Sequence, residues 1–195
     1  MKLQLPTTPF DHLLLKDYLK KYNNPNDKIK RMLRDGDIHK LKKGLYISPK
    51  SNTSLFTIAN LLYAPSYVSL ESALSYWDLI PEKVTNITSI TNKRKKEFHN
   101  LKGNFYYNSI NSKSLFLGIV YNSDKRFLIA NQTKAVCDYL KTKKITYHDI
   151  ISFLENDLRI DIDEIVKLDK ELILKLSNGY KSQSIRKLYQ QIRKL

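Results

Sequence analysis

The spacing of apolar residues changes twice along this chain. From Leu55 to Trp77 they recur at helical intervals, from Asn86 to Ala130 they alternate or run together, and after Thr133 the helical interval returns. A run of strands enclosed by helices restricts the choice to an α+β fold with helices packed on an antiparallel strand cluster. Helices are expected at Leu55–Leu62, Leu70–Trp77 (capped by Ser69), Thr133–Lys141, Tyr147–Leu154, Ile162–Leu176 and Ser182–Leu195. Strands are expected at Asn86–Thr91, Asn104–Ile110, Phe116–Tyr121 and Arg126–Ala130, with Tyr67-Val68 as a short extended piece. Asn92–Lys102 reads as a loop or hairpin end.

Ahead of this module lies a shorter and more basic one. Asp11 is the expected cap of a helix over Asp11–Tyr22, with Leu14, Leu15, Tyr18 and Leu19 as its apolar stripe. Asn23-Asn24-Pro25-Asn26 breaks it, and Asn26 is a candidate cap for a helix over Asp27–Leu33. That helix turns Ile29, Met32 and Leu33 inward and leaves Lys28, Lys30, Arg31 and Arg34 outside. Gly36, between two aspartates, suits a stop. A hairpin follows, with Ile38, Lys40 and Lys42 on one side, His39 and Leu41 on the other, and a tight turn at Lys43-Gly44. Helix, helix and basic ribbon are the layout of a winged helix-turn-helix, abbreviated because no further helix fits between the two. The expected division is residues 1–50 as this DNA-binding module and 51–195 as the larger α+β module.

Charge narrows the partners. The chain of 195 residues carries 34 Lys and Arg against 19 Asp and Glu, a net +15, and attracts polyanions. No apolar run approaches the roughly 20 residues of a membrane span, and the N-terminus lacks a signal-peptide core, so a cytoplasmic protein with no membrane partner is expected. One cysteine, Cys137, leaves no internal disulfide and no multi-cysteine zinc site.

The candidate DNA contacts are Lys28, Lys30, Arg31, Arg34, Lys40, Lys42 and Lys43. Guanidinium pairs bidentately with guanine, so Arg31 and Arg34 are the base readers, and the lysines are the phosphate contacts. Which helix face meets DNA is not fixed by the sequence. The run Lys93-Arg94-Lys95-Lys96 is either a solvated hairpin end that discourages edge pairing or a second polyanion surface, for flanking DNA, for RNA, or for opposing a toxin. Tyr67, Ser69, Glu71 and Tyr76 bring hydroxyls and a carboxylate together, but read better as a cap, a helix-start acid and packing. Cys137 reads as a buried thiol. His12, His39, His99 and His148 show no metal-ligand spacing, and Asp161, Asp163 and Glu164 read as a helix-start acidic cap. No phosphate loop or nucleophile elbow is present, so no catalytic residue, metal or cofactor is expected.

Four stretches in register, LKKGLYISP, ANLLYAPSYVSLESALSYWDLIPE, ITSITNKRKKEF and RFLIANQTKAVCDYL, resemble the AbiEi family of antitoxins over about Phe10 to Tyr139. Two positions depart from the family pattern. Asp78 stands in SYWDLIPE where glycine is expected, and NQTKAVCDYL is polar where a proline-glutamate pair is usual. The resemblance implies a winged helix that represses its own operon through operator repeats. It also implies a C-terminal module that offsets a nucleotidyltransferase-like toxin, without requiring a stable complex. The expected function is therefore that of an autorepressor and antitoxin, not an enzyme. The alternatives are an enzyme that modifies the toxin or processes nucleic acid, and an interaction module for an acidic partner.

Overall fold

The structure, a computed structural model, describes residues 4–195. It is a mixed α+β fold with two sheets and, among the described residues, nine helices. The N-terminal part runs β1 (Phe10–Asp11), α1 (His12–Tyr18), α2 (Pro25–Arg34), β2 (His39–Lys42) and β3 (Leu45–Ile47), with an antiparallel sheet in the order β1-β3-β2. Asp11 caps α1 as expected, accepting from the Leu14 amide at 2.8 Å. The helix stops at Tyr18 rather than Tyr22, so Leu15 and Leu19 are buried while Leu14 and Tyr18 are exposed. Asn24, not Asn26, caps α2, because Pro25 takes the first helical position, where its missing N–H is no loss. Phe10, Leu15, Leu19, Ile29, Met32, Ile38 and Tyr46 close a small core of their own.

The remainder runs α3 (Leu55–Leu62), β4 (Ser66–Val68), α4 (Glu71–Tyr76), β5 (Ile87–Thr91), β6 (Lys96–Asn100), β7 (Gly103–Ser109), β8 (Ile119–Asn122) and β9 (Phe127–Ala130). Five helices follow: α5 (Gln132–Thr142), α6 (Ile150–Asn156), α7 (Ile162–Val166), α8 (Lys170–Tyr180) and α9 (Gln183–Ile192). The second sheet has the order β6-β7-β5-β4-β9-β8.

Several expectations are corrected. The strand cluster is mixed, not antiparallel: β7 inserts between β5 and β6 and runs parallel to β5, and β9 runs parallel to β4. Much of the basic loop is strand β6. The expected helix Ile162–Leu176 is two helices, broken where Asp169 caps α8 by accepting from Leu172 N. In the last helix Ile185, Leu188 and Ile192 are fully buried, whereas Leu195 is exposed.

Asp78 has φ 54°, the left-handed conformation that glycine adopts without penalty. Asp78 thus occupies a position whose backbone favours glycine. One large core, running in sequence from Leu41 to Ile192, joins the second sheet to its helices, and Leu41 and Ile47 of the hairpin belong to it.

Candidate nucleic-acid interface

Helix α2 divides as its sequence demands. Ile29 and Met32 face the small core, while Lys30, Arg31 and Arg34 are exposed and Lys28 is half-buried with its ammonium over the Tyr22 ring at 5.7 Å. Lys30 pairs with Asp27 at 3.3 Å, and the Arg34 Nε donates to Asp35 at 2.8 Å. The Asp35 carboxylate hydrogen-bonded to Arg34 raises the arginine above its ordinary value, and the guanidinium in turn holds the aspartate below the usual carboxylate range. These are solvent-exposed pairs, of little energetic weight. Asp35 ends the helix and Gly36 follows at φ 75°, the usual left-handed stop.

The hairpin departs from simple alternation. The register slips between Lys40, opposite Tyr46, and Lys42, opposite Leu45, so Leu41 is the extra residue of a bulge. Leu41 points into the large core while Lys40, on the other side as alternation requires, stays exposed. Lys42 does not share a free face with Lys40. Its ammonium donates to the Leu61 and Leu62 carbonyls, at 3.0 and 2.8 Å, at the C-terminal end of α3. Lys43 is exposed at the turn, and Gly44 takes φ 80° there.

The run Lys93–Lys96 splits across the sheet. Lys93 donates to the Ala64 carbonyl at 2.6 Å, and both Lys93 and Lys96 lie over the Tyr63 ring, at 5.4 and 5.7 Å. Arg94 contributes its carbonyl to the Tyr63 hydroxyl at 3.2 Å. Lys95 instead lines a cleft with Glu71, Tyr106, Asn108 and Lys143, on the sheet face opposite Tyr107. Burial, and then the positive charges of Lys93 and Lys96, pull the Lys42 ammonium below the ordinary lysine range. The two basic centres, far apart in sequence, thus meet at Lys42. An Asn100 side-chain amide donating to the Leu41 carbonyl at 3.2 Å ties β6 to β2 beside them.

A second constellation escaped the sequence. Ser69 does not cap α4; its hydroxyl donates to Asp138 Oδ2 at 2.8 Å, as does Tyr67 at 2.8 Å. Asp138 Oδ1 accepts from Tyr180 at 2.7 Å and lies 3.3 Å from Lys134 Nζ, which also donates to the Tyr180 hydroxyl. Lys134, Asp138, Tyr67 and Ser69 are fully buried. Burial pulls Lys134 below its ordinary value, opposed by Asp138, and pushes Tyr67 and Tyr180 well above theirs. Every member is bonded to another, so the group ties β4, α5 and α8 together. The readable signal was Lys134 and Asp138 one helical turn apart within the otherwise apolar TKAVCDYL.

Glu71 pairs with Lys143 at 2.7 Å, and Tyr76 packs edge-on against Trp77 and Phe127. Cys137 is buried and its thiol pushed up by that burial. Asp161 accepts from Asp163 N at 2.8 Å, as a helix cap does. Among the described residues no group of His, Cys, Asp and Glu is arranged to hold a metal, and no helix is long and apolar enough to cross a membrane. No family model matches the chain, and no curated protein matches it.

Proposed function

We propose that the chain is a DNA-binding autorepressor and the antitoxin of a type IV toxin–antitoxin system, acting against a nucleotidyltransferase-like toxin in the cytoplasm. Residues 1–50 are the DNA-binding part, an abbreviated winged helix-turn-helix in which α1 and α2 form the helix pair and β2-β3 the wing. Residues 51–195 are the antitoxin part. The observation that carries the DNA reading is the division of α2: Ile29 and Met32 held in the core, Arg31 and Arg34 outside, and a hairpin with exposed Lys40 and Lys43 directly after. A helix so anchored presents one face to a major groove, and the ribbon beside it meets phosphates. The AbiEi-like order of segments supports the antitoxin half, and so does the left-handed backbone at Asp78, where that resemblance calls for glycine. The protein works by binding, without cofactor or covalent chemistry.

Binding to the DNA upstream of its own coding sequence tests this. Arg34→Ala relaxes sequence preference, losing about 1–3 kcal/mol of discrimination at one base position. Lys43→Ala weakens all sequences alike and lowers the magnitude of the log K against log salt slope by about 0.9. Equal affinity for upstream and unrelated DNA would overturn the repressor reading.

A further inference from the structure

We infer that Lys42, Lys93 and Lys96 form a phosphate subsite around Tyr63 that grips the backbone of the DNA duplex bound by α2, carrying the contact surface from the hairpin onto the second sheet. The subsite rests on the DNA-binding reading for its ligand, and on geometry for its existence. Lys93 and Lys96 lie over the Tyr63 ring, and Lys42 and Lys93 bond carbonyls on either side of that residue, at the end of α3 and at Ala64. Their partners are the carbonyls of Leu61, Leu62 and Ala64 and the faces of Tyr63 and Phe98. None of the three is in an ion pair among the described residues.

Carbonyls and ring faces orient an ammonium but do not neutralise it. Like charges held together repel, and Lys42, lowered first by burial, is lowered further by Lys93 and Lys96. An anion relieves it. The C-terminal end of α3 holds Lys42 by its dipole, and the Asn100 bond to Leu41 fixes β6 against β2, so the cluster is assembled before any ligand arrives. The exposed Lys40 and Lys43 continue the same hairpin. Several cations in one region favour a repeating polyanion over a single free phosphate.

The test is fluorescence anisotropy with two duplexes, one from the upstream DNA and one unrelated, across a salt series. The double substitution Lys93→Gln with Lys96→Gln removes two phosphate contacts. It lowers the magnitude of the log K against log salt slope by about 1.8 on both duplexes, and Lys93→Arg with Lys96→Arg restores it. Lys42 is left intact because it holds the end of α3. A thermal melt matching the unsubstituted protein shows that the fold is retained, and the arginine pair supplies a second comparison if the glutamine pair melts early. An unchanged slope on duplex DNA overturns the subsite. So does loss confined to single-stranded RNA, or an equal response of both forms to inorganic phosphate alone. The operator reading fails separately, if the unsubstituted protein treats the two duplexes alike or if Arg31→Ala with Arg34→Ala still tells them apart.

Discussion

Single residues set the terms of stability in the buried Lys134–Asp138 network. Asp138 satisfies Tyr67, Ser69, Tyr180 and Lys134 at once, so removing it leaves a buried ammonium and three hydroxyls without their acceptor. Asp138→Ala is expected to lose about 3–5 kcal/mol in urea unfolding, and Lys134→Met with Asp138→Leu to lose less than Asp138→Ala alone, because no unpaired charge then stays buried. Equal losses would mean that the ion pair is not what the site requires. The buried tyrosines add a pH signature. Burial raises Tyr67, Tyr107 and Tyr180 above the ordinary 10.0. Their contribution is fully present below that value and is lost as pH climbs, because the unfolded chain ionises first. Urea midpoints should therefore fall from pH 9 to about pH 11, and fall less in Tyr67→Phe. Beyond the Lys134–Asp138 spacing the network was not legible in the sequence: Tyr67 and Ser69 meet Asp138 across 71 and 69 residues, and each alone has an ordinary local explanation.

At the scale of elements, local chemistry wrote most of what can be seen. Amphipathic spacing located α2 and Gly36 ended it, while Pro25 moved the cap to Asn24. What failed was register. A register slip between Lys40 and Lys42 broke their expected grouping, while Leu41 went inward on the side that alternation gives it, and no periodicity forecasts an inserted residue. The mixed sheet was hidden for a related reason, since alternation gives a strand's faces but not its neighbours. Asp78 offers a local test. Its φ of 54° taxes an aspartate, so Asp78→Gly should raise stability by up to about 1 kcal/mol, read as a shift in urea midpoint. A lower midpoint would show that the aspartate side chain outweighs its backbone.

For the whole molecule, the central feature is where the positive charge gathers. The stretch Asp27–Ile47 holds seven basic and three acidic residues, only +4 of the net +15. Folding brings part of the rest to it, because β2 and β6 approach edge to edge and Lys42 comes beside Lys93 and Lys96. It also divides what looked like one cluster, sending Lys95 to the cleft with Lys143. The sequence offered the run Lys93–Lys96 without its direction, because that depends on which strands are neighbours. On the proposed reading, α2 reads a particular DNA sequence. Hydroxyl-radical footprinting on the DNA upstream of the chain's own coding sequence tests it most directly. A bounded protected stretch that disappears in Arg31→Ala with Arg34→Ala is expected, and uniform reactivity with the unsubstituted protein would mean that α2 reads no sequence.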